Sequence, residues 1–228
     1  MGSDPLSDSK IIDSWAKNAA PWTTAVRNGD IESRRLVTDQ AIIDAILSRS
    51  PHVVLDLGCG EGWLARALAT HGIRVVGVDV VPGLIEQAQQ GGGGDFNVIS
   101  YEEITAGELE LSADVVVCNF SLLGKESVEG IFNVAHSLLR PGGAFIVQTL
   151  HPVIANGNAP YQDGWRPGSW AGFSPDFVEP APWYFRTLKS WVKLFTASGL
   201  TLLDVREPLH PVTAKPASAL FIAVAPER

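Results

Sequence analysis

Short apolar runs alternate with amphipathic stretches along most of the chain, which is the pattern of an α/β fold. The first run, His52–Leu57, is short and continuously apolar, as expected for a buried parallel strand. The same reading predicts six further strands at 73–78, 96–100, 114–119, 144–150, 200–206 and 219–225. Helices are predicted around and between them at 31–47, 61–71, 82–90 and 187–198, with one more ending at Arg140-Pro141-Gly142-Gly143.

The last two predicted strands break this alternation. The twelve residues between them, 207–218, include three prolines and are too poor in helix-forming residues to make a crossover helix. We therefore expect the last strand to run antiparallel to its neighbour. The predicted fold is Rossmann-like: a seven-stranded, mostly parallel sheet with an antiparallel last strand and helices on both faces.

Two parts of the chain lie outside this alternation. Residues 7–29 read as short helical pieces carrying Trp15 and Trp22, and residues 1–50 as a helical cap. Residues 151–185, which we call the lid, hold six prolines and eight of the nineteen aromatic residues. A loop this long is commonly functional or disordered, and its aromatic density argues against disorder. We predict one domain over 1–228, with a core at 51–150 and a final helix and two strands at 186–228.

Composition excludes several classes of partner. The formal charge is −8, and no Lys/Arg cluster is longer than Arg34-Arg35, which disfavours nucleic acid. Cys59 and Cys118 read as reduced thiols, and no zinc-ligand spacing or other metal site is predicted. The first residues lack the regions of a signal peptide, and no apolar run approaches a membrane span. We expect a cytoplasmic monomer or homodimer that does not contact membrane.

A glycine-rich turn follows the first strand, where backbone N–H groups can approach a ligand. Its sequence over 55–62 is LDLGCGEG. Trp63 occupies the position of the third glycine of the dinucleotide fingerprint, so the motif is not GxGxxG. Asp56 precedes the turn and would repel a pyrophosphate but attract a cationic cofactor. Asp79, at the end of the second strand, is placed to accept the hydroxyls of a ribose.

These residues resemble the first motif of the class I S-adenosylmethionine-dependent methyltransferases. The resemblance is specific from about Val53 to Ile146 and looser towards the end of the chain. It implies that S-adenosylmethionine is the cofactor. It assigns the cofactor contacts by position to Asp56, Gly58, Cys59, Gly60, Asp79, Val80, Tyr101 and Asn119, and less directly to Trp22 and Arg34, with Trp15 beside them.

The same resemblance gives roles to these positions. Gly58, Cys59 and Gly60 would line the methionine and ribose, and Asp56 would organise the turn and the amino group. Asp79 would bind the ribose, while Val80 and Tyr101 would flank the adenine. Asn119 would form the next wall of the pocket. For Trp15 and Trp22, plain packing is an equal alternative.

The methyl acceptor is less determined. Asn119-Phe120-Ser121-Leu122 is not the Asn/Asp-Pro-Pro-Tyr motif of amino-methylating enzymes, and Cys118 follows valine rather than proline, which disfavours nucleobase acceptors. His151 follows the fifth strand and is a candidate base, or else a loop histidine that orders the lid. The candidate acceptor contacts in the lid are Tyr161, Trp165 and Trp170, with plain packing of the lid as an equal alternative.

The sequence therefore predicts an enzyme that moves a methyl group from S-adenosylmethionine to an oxygen, nitrogen or carbon of a small molecule. The transfer is an in-line displacement, which needs proximity and a dry pocket. Two alternatives stay open: a non-catalytic protein that senses the cofactor, and an NAD-dependent oxidoreductase, against which Trp63 and Asp56 argue.

Overall fold

A twisted seven-stranded sheet forms the centre of the molecule in the computed structural model, which describes residues 5–225. The strands of this sheet are β1 (Val53–Leu57), β2 (Arg74–Asp79), β3 (Asp95–Val98), β4 (Ala113–Asn119), β5 (Leu139–Leu150), β8 (Thr201–Arg206) and β9 (Ser218–Val224). Their order across the sheet is β3-β2-β1-β4-β5-β9-β8. The first five strands in this order, from β3 to β5, pair with one another in parallel.

The predicted reversal of the last strand is confirmed. β9 lies between β5 and β8 and pairs antiparallel with both, Ile146 opposite Ile222 on one side and Val205 opposite Phe221 on the other. The short connection after β8 explains this arrangement, because it returns directly along the sheet instead of crossing over it. The carboxyl ends of β1, β2, β4 and β5 consequently meet at one edge of the sheet.

Helices cover both faces of the sheet. The described helices are α1 (Asp8–Asn28), α2 (Asp39–Leu47), α3 (Trp63–Ala69), α4 (Pro82–Gly91), α5 (Tyr101–Thr105), α6 (Glu126–Val134), α7 (Pro152–Ala155) and α8 (Leu188–Ala197). A π-helical segment, Arg34–Thr38, leads into α2, and a 3₁₀ turn, Ala135–Leu138, follows α6.

Two apolar layers result, because adjacent residues of a strand point to opposite faces. Leu55 belongs to the layer beneath α5, α6 and α8, whereas Val54 belongs to the layer beneath α2, α3 and α4. The first layer contains a stack of aromatic rings in which Phe132 meets Phe145 and Phe195 at centroid distances of 5.2 and 4.8 Å. Burial on both faces explains why the central strands are continuously apolar.

The cap differs from the prediction of short helical pieces. Residues 8–28 form a single helix of 21 residues that continues through Pro21. Its buried positions pack against α4 through Ala19 and against the lid through Ser14 and Asn18, so tertiary packing outweighs the helix-breaking tendency of the proline. Gly29, with φ of 71°, ends it.

The lid is more ordered than a loop. It contains α7 and a two-stranded ribbon of β6 (Gly164–Arg166) and β7 (Trp183–Phe185), which the sequence pattern did not indicate. Strands of three residues are too short to show an alternation of apolar and polar positions. No helix within the described part of the chain combines the length and apolar character needed to cross a bilayer.

Candidate active site

The glycine turn after β1 is held against the end of β2. The backbone N–H groups of Gly58 and Cys59 both donate to the carbonyl of Val78, at 2.8 and 3.0 Å. Gly58 and Gly60 have φ of 76° and 56°, in the left-handed region that glycine adopts without strain. The turn therefore bends sharply at the sheet edge and presents its backbone to the space above.

Gly58 is also required by its neighbours. A Cβ atom at this position would lie 2.9 Å from the hydroxyl of Tyr101 and would overlap the Cβ atom of Ser121. The Ser121 hydroxyl donates to the Leu57 carbonyl at 2.6 Å, and the Tyr101 hydroxyl lies 3.3 Å from the same carbonyl. The segments after β1, β3 and β4 are thereby joined beneath the site.

Asp79 binds the turn with both carboxylate oxygens. Oδ2 accepts from the Gly60 N–H at 3.0 Å, and Oδ1 accepts from the Val81 N–H at 2.9 Å. Burial raises the pKa of Asp79, and these backbone bonds oppose the rise. Each oxygen keeps a further lone pair, so the carboxylate can hold the turn and still accept hydrogen bonds from a diol.

Asp56 lies beneath the turn rather than in its open face. Its side chain is buried, and Oδ2 has no hydrogen-bond partner among residues 5–225. Burial, followed by the nearby charge of Asp79, raises its pKa to about 7. Asp56 lies under the turn and does not line the cavity described next, and its role towards the cofactor's amino group, directly or through water, stays a prediction.

A cavity of about 400 Å³ opens above the glycine turn. The predicted residues that line it are Gly58, Cys59, Gly60, Asp79, Val80, Tyr101, Asn119, Trp15, Trp22, Arg34 and Trp170. Four aromatic residues of α1 and the lid, Trp15, Trp22, Trp170 and Phe173, cover it, and we call them the roof. Their rings contact one another, with centroids 5.0 Å apart for Trp15 and Trp22 and 5.7 Å apart for Trp15 and Trp170.

Arg34 brings a positive charge to the cavity wall. Its guanidinium lies 4.6 Å from the ring centroid of Trp63 and 5.8 Å from that of Trp22. Nε donates to Asp39 at 3.0 Å, whereas Nη2 is buried and has no partner among residues 5–225. A buried donor without a partner is costly, so this geometry suits a ligand that brings a carboxylate.

The sequence reasoning missed Glu61, the residue after the second glycine of the turn. Its carboxylate is fully buried and pairs with Arg66 Nη2 at 2.6 Å and with Arg27 Nε at 2.9 Å. Arg27 also donates to the carbonyl of Gln87 at 2.9 Å. Glu61 thus ties the turn to α1 and α4. A glutamate inside a glycine turn could have indicated this role, but its partners lie on other elements and could not be identified from the sequence.

Gln148 was also missed. Its side-chain Nε2 donates to Asn119 Oδ1 at 2.8 Å and to the Thr38 carbonyl at 3.0 Å, which fixes the orientation of Asn119 at the cavity. Phe120, the residue after Asn119, has φ of 56°, which is unusual for a bulky side chain. Its N–H donates to the Gln148 carbonyl at 2.8 Å. Strain of this kind is found at functional sites.

His151 does not line the cavity, and its place beside the acceptor stays a prediction that this geometry does not support. Its ring is buried, and Nε2 lies 2.6 Å from Glu207 Oε1, just after β8. The prediction rested on the edge of the sheet at which β5 ends, but a histidine at that edge can turn away from the site. Here it joins the beginning of the lid to the end of β8, in line with the alternative of a loop histidine.

Two of the three lid aromatics lie away from the cavity. Tyr161 is half-exposed, packs on Phe185 at 5.7 Å and accepts from the Leu188 N–H at 3.0 Å. Trp165 packs on Tyr184 across the β6–β7 ribbon at 5.6 Å. Neither lines the cavity, which favours the alternative of packing residues, and their contact with the acceptor stays a prediction. Trp170 alone of the three lies in the roof.

A sheet of this order, with the glycine turn and Asp79 facing one cavity, defines the fold class of the S-adenosylmethionine-dependent methyltransferases. A family model described as "Methyltransferase domain" matches residues 32–205. The chain belongs to this family, and S-adenosylmethionine is its cofactor. The unpaired Arg34 Nη2 and the remaining lone pairs of Asp79 fit the carboxylate and the ribose of that molecule.

A curated relative is the ubiquinone biosynthesis O-methyltransferase of Xanthomonas euvesicatoria pv. vesicatoria (strain 85-10), 31% identical over 167 residues. The match covers 69% of this chain and 66% of the relative, so the chain spans just under two thirds of that protein's length.

Two solved structures show the same fold. The 1,6-didemethyltoxoflavin-N1-methyltransferase of Burkholderia thailandensis, with its bound acceptor and S-adenosylhomocysteine, is 21% identical and has a TM-score of 0.64. That match covers 99% of this chain and 94% of the other. An S-adenosylmethionine-dependent methyltransferase of Mesorhizobium loti is 23% identical with a TM-score of 0.57, covering 75% and 90%.

Proposed function

We propose that this chain transfers a methyl group from S-adenosylmethionine to a hydroxyl oxygen of a flat aromatic or quinonoid small molecule, with release of S-adenosylhomocysteine and of the hydroxyl proton. One observation carries the proposal: the cavity above the cofactor turn is covered by the aromatic roof. Aromatic rings bind flat apolar molecules through stacking and burial. The cofactor supplies an electrophilic methyl group on a sulfonium sulfur.

The residues of this chain would act by binding and orientation. Asp79 would accept the ribose hydroxyls, and Arg34 would pair with the methionine carboxylate through its free Nη2. Gly58, Cys59 and Gly60 would pass beneath the methionine and ribose, with Val80 and Tyr101 beside the adenine. Asn119, held by Gln148, would form the wall next to the reacting groups. The roof would exclude water and hold the acceptor in line.

The names of the relatives support a small aromatic acceptor and leave the atom open. The Xanthomonas relative is named for O-methylation in ubiquinone biosynthesis. The Burkholderia enzyme is named for N-methylation and was solved with a toxoflavin precursor bound. Oxygen is the better choice, since the relative with the higher identity to this chain is the O-methyltransferase.

Incubation with S-adenosylmethionine and a panel of catechols, phenols and nitrogen heteroaromatics tests the proposal. We expect S-adenosylhomocysteine release with a phenolic member and a product heavier by one methyl group in mass spectrometry. Methylation of nitrogen alone would refute the choice of oxygen. Cofactor binding without turnover on any member would favour a sensor.

Replacing Asp79 with Ala tests the cofactor half of the site. We expect binding of S-adenosylhomocysteine to weaken by ~1–3 kcal/mol, since hydrogen bonds to a charged acceptor are lost. Isothermal titration measures this change. Asp95→Ala is the matched control, because Asp95 begins the neighbouring strand and pairs with exposed Arg74 away from the turn. Equal affinities for both variants would place the ribose elsewhere.

A further inference from the structure

The beginning of α6 is capped by a side chain from a distant helix. Lys125, at the N-cap position of α6, provides no side-chain cap. Instead Asp8, at the start of α1, accepts from the Lys125 N–H with Oδ1 and from the Ser127 N–H with Oδ2, both at 2.8 Å. A carboxylate at this place satisfies two backbone donors that the helix itself leaves open.

The contact surface is shaped for this carboxylate. A Cβ atom at Gly124 would lie 2.6 Å from Asp8 Oδ2 and would overlap the Ser127 hydroxyl. Gly124 therefore permits the approach of α1. Its carbonyl accepts from Arg186 at 2.8 Å, and Arg186 also donates to the Lys125 carbonyl at 3.0 Å. The segment before α6 is thus held by Arg186, the residue that follows the lid, on one side and by Asp8 on the other.

This contact sets the spacing between two walls of the cavity. On α1, Ile11, Ile12 and Trp15 follow Asp8 and line the cavity. On the opposing segment, Leu123, Gly124 and Ser127 line it. Asp8 itself lies between them. Further polar anchors of α1 lie later in the helix, at Ser14, Lys17 and Asn18 with the lid and at Arg27 with Glu61.

We propose that Asp8 is a positioning residue for methyl transfer, which holds α1 on the beginning of α6 so that the two walls grip the acceptor. The proposal rests on the function proposed above. Loss of Asp8 leaves the N–H groups of Lys125 and Ser127 unpaired and frees the first turns of α1. The glycine turn and Asp79 are held by hydrogen bonds that do not involve Asp8, so we expect cofactor binding to be retained.

Kinetics of Asp8→Asn against Asp13→Asn test the inference. Asparagine has one acceptor oxygen where two are needed, whereas Asp13 is an exposed residue of the same helix paired with Lys10. We expect kcat/KM for the acceptor to fall roughly five- to tenfold for Asp8→Asn, as for loss of a helix cap. For the same variant we expect the affinity for S-adenosylhomocysteine to change by less than about twofold. Asp13→Asn should match the wild type in both measurements.

A double-mutant cycle with Gly124→Ala separates positioning from general destabilisation. Gly124→Ala should give the same defect by pushing the carboxylate away, and the double variant should be no worse than either single one.

Hydrogen exchange should rise in the first turns of α1 in both single variants. Asp8→Glu, which keeps two acceptor oxygens, should recover part of the activity. Additive losses, or an equal loss of cofactor affinity, would overturn the inference. Absence of cofactor binding by the wild type would instead overturn the proposed function.

Discussion

Single residues in this site carry several tasks at once. Asp79 closes the glycine turn with two backbone hydrogen bonds and is the proposed ligand for the ribose. Asp56 and Glu61 are buried carboxylates beside the same turn, but among residues 5–225 only Glu61 has positively charged partners. The shape of the glycine turn therefore depends on buried carboxyl groups, and substitutions of Glu61 and Asp56 test this dependence.

Glu61→Gln should be among the more destabilising single changes in the molecule. It removes one charge from a buried network and leaves one acceptor oxygen where Arg66 and Arg27 had a carboxylate. We expect a loss of about 2–4 kcal/mol in the free energy of unfolding, below the usual cost of breaking a buried pair because both arginines are partly exposed. Urea unfolding measures it. Glu86→Gln, an exposed change on α4, should leave stability unchanged.

Asp56 should make the stability of the protein fall as the pH rises. Its pKa is about 7 in the folded protein and near 3.8 when exposed, so between these values the folded state binds the extra proton. The stability that this group contributes is complete below about pH 4 and lost as the pH rises towards 7.

Unfolding free energies of the wild type and Asp56→Asn at pH 5.5 and 7.5 test this sign. The wild type should lose about 1–2 kcal/mol relative to the variant between the two values. Parallel pH dependence would show that Asp56 is paired or hydrated in solution.

At the scale of elements, α1 and the lid form one unit above the sheet. Asn18 is buried and exchanges two hydrogen bonds with Val178 of the lid, at 2.7 and 2.9 Å. Ser14 donates to the Glu179 carbonyl at 2.6 Å, and Lys17 pairs with the Glu179 carboxylate. The roof residues lie on these same two elements, so their order depends on this pairing.

Asn18→Ala should loosen the lid without unfolding the sheet. The backbone N–H and carbonyl of Val178 lose their partners, so the lid should open more often. We expect faster limited proteolysis within residues 156–182 and a higher KM for the acceptor. Thr24→Ala, on the same helix, is the control because its hydroxyl bonds only within α1. Unchanged proteolysis would indicate that the aromatic contacts alone hold the lid.

At the scale of the molecule, cofactor binding should stabilise the whole fold. Residues at the ends of β1, β2 and β4 and residues of α1 line the cavity, so a ligand bound there would contact all four elements. A ligand at 100 times its Kd adds about 2.7 kcal/mol, or roughly 5–10 °C in Tm for a chain of this size. Differential scanning fluorimetry with S-adenosylhomocysteine measures the shift, and NADH should give none. A shift with NADH alone would contradict the cofactor assignment.

Much of this architecture was predictable from patterns within short stretches of chain. The seven strands, the reversed β9 and the strand–turn–helix unit around Gly58 were predicted and are confirmed, because each depends on contiguous residues. The missed elements were short or overridden: the three-residue strands of the lid show no period, and α1 continues through Pro21.

Side-chain partners over long separations were decided only by the tertiary structure. His151 bonds to Glu207, 56 residues away, rather than facing the acceptor, and Asp8 caps a helix whose first residues are 117 and 119 positions away. The sequence by itself determined the sheet and the turn, since local periodicity and backbone conformation specify them, while the ligand of the turn was implied by its resemblance to a known family. Which aromatic residues form the roof, and which acids anchor it, depended on how the cap and the lid pack together over the sheet.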